Sequence, residues 1–272
     1  MTDTATSNAQ PDRSAHRVRH ALRFRLLEVR AVERPSPHLV RITVGGDQLE
    51  GFTSPGFDDH CKLFFPDPLT GALQLPQAGP DGPVYASEQR PIMRDYTPHS
   101  FDATALTLQF DFALHDAGPA TRWASQAEPG QMLGVGGPRG SFLLPFAFDW
   151  HLMIGDDTAL PAITRRLAEL PAGARALVLI EVASAADEAV FESAARIDVQ
   201  WIHRDAQASR RLTLPQAAAT LAFLPGDYCA WVGCESSDSK ALREFLLGQR
   251  HANPDWLKVK SYWRRGAADG ED

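Results

Sequence analysis

Arg94, Tyr96 and Thr97 stand in the run Arg94-Asp95-Tyr96-Thr97, after a stretch rich in turn residues and before an alternating segment at 106–112. An arginine offers a charged fork for a phosphate, a tyrosine an aromatic face, and a threonine hydroxyl a hydrogen-bonding group for the polar edge of a ring. Side chains alternate along an extended chain, so Arg94 and Tyr96 share one face and can clasp two parts of one long ligand. Such a grip suits a planar ring with a phosphate arm, as in a flavin dinucleotide. An edge strand with a solvated arginine would carry the same residues, so the neighbouring sequence has to decide.

Several later stretches bear on that choice. Gly118-Pro119-Ala120-Thr121 reads as the start of a helix, whose first turn exposes unpaired N–H groups and the positive end of its dipole; a pyrophosphate could rest there, with Thr121 adding a hydroxyl. His115, just upstream, is either a surface histidine or a donor to the flavin side chain. Gly136-Gly137-Pro138-Arg139-Gly140 is a tight turn with Arg139 at its tip, where either solvent or an anion would meet it. Gly155-Asp156-Asp157-Thr158-Ala159 follows an apolar strand and opens a helix, the usual place for a nicotinamide or phosphate, although a plain cap by Asp157 or Thr158 is equally consistent. Two aspartates would repel a phosphate, which favours the nicotinamide side. Glu235, in Val232-Gly233-Cys234-Glu235, either faces the same crevice or caps the next helix. Arg204, after the third parallel strand, either stands where a pyridine nucleotide's adenosine phosphate would lie or forms a simple surface pair with Asp205. Near the end, Lys258, Lys260, Arg264 and Arg265 surround Tyr262 and Trp263, reading either as a solubilising tail or as cations at the mouth of a site.

Positioning these groups takes two kinds of element. Short alternating segments at 22–26, 39–44, 62–65, 106–112 and 132–135, punctuated by Gly and Pro, predict an antiparallel barrel interrupted by one helix at 118–127. Beyond residue 149 the strands become apolar throughout (152–154, 176–182, 199–202, 230–232) and alternate with helices at 161–170, 214–221 and 239–249, which predicts a parallel sheet covered on both faces. At 272 residues the chain has room for two cores. The expected division is a disordered tail at 1–21, a barrel at 22–148 and an α/β unit with a basic C-terminal tail at 149–272.

Composition narrows the function. A net charge of −7 argues against general nucleic-acid binding. No apolar run approaches the roughly 20 residues of a membrane span, and the polar start lacks the apolar core of a signal peptide, so a cytoplasmic protein is expected. Cys61, Cys229 and Cys234 have no metal-site spacing, and the nine histidines form no paired motif; no protein-bound metal centre is indicated.

Taken together, the motifs H-C-K-L-F-F-P (60–66), R-D-Y-T (94–97), D-F-A-L-H-D-A-G-P-A-T-R-W-A (111–124), G-G-P-R-G-S-F (136–142), G-D-D-T-A-L-P-A-I (155–163) and Y-W-R-R-G (262–266) resemble the siderophore-interacting protein family. These are flavin-dependent ferric-siderophore reductases, a branch of the ferredoxin–NADP reductase superfamily. The resemblance implies an FAD-binding antiparallel β-barrel followed by a Rossmann-like parallel α/β domain that receives NADPH or NADH, or a member that takes its electrons from a ferredoxin partner instead. It implies that Arg94, Tyr96 and Thr97 grip the flavin, that Asp111, Phe112, His115, Gly118 and Gly137 line the cofactor, and that Ala120 and Thr121 face its pyrophosphate. Asp157, Thr158, Ala159 and Glu235 would meet the nicotinamide. Lys62, Arg139 and Arg264 would recruit an anionic ferric siderophore, with Arg265 or Lys260 able to replace Arg264. A monomer is expected. General flavin or ferredoxin reduction, or non-enzymatic siderophore carriage, are the alternatives.

Overall fold

The computed structural model describes residues 12–80, 82–86, 88, 90–114, 118–207 and 211–266. Its first half consists of β1 (His16–Arg19), β2 (Phe24–Ser36), β3 (Leu39–Gly45), β4 (Cys61–Phe64), β5 (Gln77–Gly79), β6 (Gly82–Val84), β7 (Met93–Tyr96), β8 (Pro98–Asp102), β9 (Thr107–Ala113), a helix α1 (Pro119–Ser125), β10 (Met132–Gly136) and β11 (Gly140–Leu143). Seven strands form one antiparallel sheet in the order β7-β4-β10-β2-β3-β9-β8, while, among the described residues, β5 pairs only with β6 and β1 only with β11. The sheet's two edges, β7 and β8, are separated in the chain by Thr97 alone. A seven-strand sheet whose edges lie one residue apart has to curl back on itself, and that gives the expected barrel form.

Strand formation follows the alternation. In β3, Val40, Ile42 and Val44 are fully buried while Arg41 and Thr43 lie between them and are partly exposed, as β-branched residues on a half-buried pleat should be. Leu27, Val29, Leu63, Phe110 and Leu133 join them in one core, and α1 packs Ala120, Ala124 and Trp123 against it. Each such side chain contributes about 1.5–3 kcal/mol by leaving water.

The second half holds β12 (Trp150–Asp156), α2 (Leu160–Glu169), β13 (Arg175–Val182), β14 (Arg196–His203), α3 (Leu214–Thr220), β15 (Tyr228–Glu235), α4 (Ser236–Gly248) and β16 (Leu257–Trp263). All neighbours are parallel, in the order β14-β13-β12-β15-β16. The chain steps outward from β12 in one direction and then in the other, so a crevice opens beyond the carboxyl ends of β12 and β15. β12 is buried at every position, which explains the apolar run Leu152–Ile154 at its centre. α3 and α4 cover one face and α2 the other. Thr213 and Gln216 form a reciprocal cap that starts α3. Among the described residues, no helix is long and apolar enough to cross a membrane.

Two elements correct the sequence reading. Residues 16–19, assigned above to a disordered tail, form β1 on the edge of β11. Residues 257–263 are not tail either: β16 is the edge strand of the parallel sheet.

The two sheets are bolted together. Phe57, from the loop before β4, packs with Leu144, Leu160, Ile163 and Trp231 in a single cluster. From α2, Arg165 donates to the carbonyls of Ser54 and Pro98, and the buried Arg166 donates to those of Leu144 and Pro145. Asp187 accepts from Ser36 Oγ and the His38 backbone N–H at 2.8 and 2.9 Å, tying the β2–β3 turn to the loop after β13.

Candidate functional site

The registers decide which side chains share a face. Leu63 pairs with Arg94 and Cys61 with Tyr96, whereas Lys62 pairs with Asp95. Directly opposed residues lie on one side of the sheet, so Arg94 and Tyr96 do share a face, and Lys62 stands on the other. The Tyr96 ring packs 4.4 Å from Phe112, which is wholly buried and also lies against Trp123 of α1. Phe112 thus orients Tyr96 from behind. Burial pushes the Tyr96 phenol up, so it stays a neutral hydrogen-bonding group at any ordinary pH.

Thr97 sits at the seam between the sheet's edges, buried, with its Oγ1 3.5 Å from the phenol oxygen of Tyr262 on β16. This contact brings the barrel seam and the edge of the parallel sheet together. Tyr262 lies 165 residues away, beyond the reach of any local pattern.

α1 begins at Gly118 with Pro119 in its first turn and no side-chain cap, its first ladder bond running from Arg122 N–H to Gly118 C=O. The amides of Ala120 and Thr121 therefore precede the ladder, and an anion could accept from them. This opening, the Arg94–Tyr96 face and the Thr97 hydroxyl are donors and an aromatic surface of the kind an FAD needs, so the residues present fit that group. His115 lies outside the described residues. Gly137 has a φ of +88°, which only glycine adopts freely, and its carbonyl accepts 2.8 Å from buried Arg25. Asp111, expected at the cofactor, instead turns its buried carboxylate onto Arg41 at 2.7 and 2.8 Å, across from it on β3. Its side chain braces two strands.

The crevice of the parallel sheet is lined by Gly155 and Gly233, which pair with each other at the ends of β12 and β15. A Cβ on Gly155 would come within 2.8 Å of the Gly233 carbonyl, so the close approach requires glycine. The helix cap here is neither Asp157 nor Thr158: Asp156 accepts from Thr158 N–H at 3.0 Å, and also from Glu235 N–H at 3.0 Å and Trp263 Nε1 at 2.8 Å. Burial, with Asp157 next to it, raises the Asp156 carboxyl well above the usual range. Asp157 pairs with Arg204, which also reaches Glu181 at 3.5 Å; the surface pair of Arg204 with Asp205 suggested by the sequence does not form. The other oxygen of Asp157 is buried without a partner among the described residues. Glu235 caps α4 through Ser237 and Asp238 and accepts from Arg265 N–H at 3.0 Å. That occupies its carboxylate and leaves it little freedom to hold a ligand.

The substrate-side cations are dispersed. Lys62 pairs with Asp95 at 2.9 Å, while Arg139 and Arg264 are exposed. Lys258 and Lys260 both turn inward to Asp58, at 2.8 and 3.1 Å, beneath a Trp231 Nε1 donor at 3.0 Å. Burial pushes the Asp58 carboxyl up, but the two ammonium groups outweigh it and the net effect is downward.

Two family descriptions match nearly the whole chain: a siderophore-interacting FAD-binding domain over residues 28–142 and siderophore-interacting protein over 148–266. The chain belongs to the siderophore-interacting protein family. Within that family it is 38% identical to the NADPH-dependent ferric-chelate reductase of Escherichia coli, over 92% of this chain and 97% of the relative. It is 33% identical to the ferric vibriobactin reductase ViuB of Vibrio cholerae, over 89% and 90%. Among solved structures, a siderophore utilization protein from T. fusca superposes with a TM-score of 0.87 at 38% identity, covering 94% of this chain and 98% of that one. The cytochrome b5 reductase domain of Ulva prolifera nitrate reductase, at 11% identity and a TM-score of 0.60, covers 87% of this chain and 96% of that one and shares the fold.

Proposed function

We propose that the protein is an FAD-dependent ferric-siderophore reductase that takes electrons from NAD(P)H and releases iron as Fe(II). What supports the proposal is the seam at Thr97, where Tyr262 of β16 meets the barrel next to the face shared by Arg94 and Tyr96; a flavin dinucleotide would lie along that face, with its pyrophosphate at the start of α1. When bound, the flavin would supply the conversion that the substrates demand, accepting two electrons together as one hydride and passing them singly to ferric iron.

The chain's own residues do the placing. Arg94 holds a phosphate oxygen, Tyr96 packs along the cofactor with Phe112 behind it, and Ala120 and Thr121 offer amides to the pyrophosphate. Thr97 and Tyr262 present hydroxyls at the ring's edge. A nicotinamide would lie beyond the carboxyl ends of β12 and β15, where the open oxygen of Asp157 is an acceptor for its carboxamide N–H. Lys62, Arg139 and Arg264 meet the anionic siderophore. They do not ligate iron, whose hard oxygen donors remain in place until reduction weakens them.

The test uses purified protein with FAD bound, kept anaerobic. NADPH and NADH are added separately and should bleach the yellow absorption, and a ferric siderophore should restore it. Protein that binds the siderophore but never bleaches with either nucleotide would be a carrier or would need another electron donor.

A further inference from the structure

Residues 13–25 contain five arginines and two histidines and not one acidic residue, in a chain whose net charge is −7. Two of the arginines are engaged. Arg13 pairs with Asp227 at 2.5 Å, and buried Arg25 donates to the carbonyls of Gln48 and Gly137. Arg17, Arg19 and Arg23 are exposed, and none pairs with a carboxylate among the described residues.

β1 carries the first two of these to a particular place. Arg17 stands opposite Phe142 and Arg19 opposite Gly140, and His20 N–H donates to the Arg139 carbonyl at 3.0 Å. Opposed residues share a face, so Arg17 and Arg19 lie together beside the Arg139 turn. The Arg17 guanidinium lies 5.6 Å from the Phe142 ring centre and the Lys258 ammonium 4.0 Å from the same ring, so the arm reaches the edge of the Asp58-paired lysines of β16. The attachment is specific. His20 Nε2 lies 2.8 Å from Ser141 Oγ, which donates to Asp59 at 2.6 Å in the buried loop before β4. A Cβ on Gly140 would stand 2.7 Å from the Val18 carbonyl, so glycine there lets β1 close on β11.

We propose that β1 is a cationic arm that draws anionic ferric complexes to the Arg139 turn, with Arg17 and Arg19 setting a preference for charged over neutral siderophores. This rests on the reductase reading above. The molecule as a whole repels an anion, and a local strip of unpaired arginines reverses that field within about 8 Å at physiological ionic strength.

The experiment compares wild type with Arg17→Gln/Arg19→Gln, both as full chains with FAD bound. The probes are a strongly anionic ferric tris-catecholate and an uncharged ferric tris-hydroxamate. For the anionic probe the variant's KM should rise roughly three- to tenfold at low ionic strength, with kcat held. The difference should vanish at high salt, and the neutral probe's KM should not follow it. Arg17→Lys/Arg19→Lys, which keeps the charge, should restore the wild-type KM. An unchanged KM for the tris-catecholate, or an equal rise for both probes, overturns the proposal. If wild type reduces neither complex, the reductase reading itself has failed and the arm's role falls with it; failure of the arm alone leaves wild-type turnover of both probes intact.

Discussion

Arg94 and Tyr96 point to one face of β7, opposite Leu63 and Cys61 of β4. In the proposed site the arginine makes a charge-assisted bond to phosphate. Arg94→Ala should therefore weaken FAD binding roughly 10- to 150-fold, about 1.5–3 kcal/mol, as read by flavin fluorescence. Unchanged affinity would move the phosphate elsewhere. Asp111 and Glu235 show where reading by residue type stops. Both are carboxylates beside the expected ligands, yet Arg41 and the start of α4 occupy them, and neither partnership can be seen without the fold. Asp187 offers a pH test. Burial pushes its carboxyl up, but hydrogen bonds from Ser184, Ser36 and His38 outweigh this and hold it down at about 2. An unfolded aspartate titrates near ~3.9, so the folded state gains stability from this group above that pH and loses it as pH falls from about 4 through about 2. Tryptophan fluorescence should record acid unfolding that steepens in that window. In Asp187→Asn, which is less stable at neutral pH, this steepening should be absent; an identical acid profile in the variant would refute the linkage.

The parallel strands announced themselves, since β12 and β13 are buried almost throughout and admit few polar residues. β1, the far half of β2 and β16 did not. β1 is exposed at all four positions, and the last residues of β2 are mostly exposed, so neither carries a buried alternation. β16 hides two lysines whose partner, Asp58, lies 200 residues or more away. With both ammonium groups removed, Asp58 would be a buried and unpaired charge. Lys258→Met/Lys260→Met should cost about 3–5 kcal/mol in urea unfolding, and adding Asp58→Asn should recover much of it. A double variant as stable as wild type would mean that β16 is held by its backbone pairing alone.

Across the whole molecule, curling the antiparallel sheet and reversing the parallel one bring two otherwise separate features to one place. The barrel seam closes at Thr97, and β16, at the edge of the parallel sheet, reaches that seam through Tyr262. The barrel and the α/β unit could each be inferred from periodicity. The seam could not, because it depends on how buried Asp58 and Arg166, with half-buried Arg165, lock the two sheets together. The central claim is that electrons enter as a pair at the crevice and leave singly at the seam for siderophore-bound iron. The most direct measurement is an anaerobic single turnover: protein bleached with a stoichiometric amount of NAD(P)H is mixed with excess ferric siderophore and an Fe(II)-specific chelator. Full recovery of the yellow absorption with two Fe(II) trapped per flavin is the predicted result. Recovery without Fe(II), or no recovery at all, would contradict it.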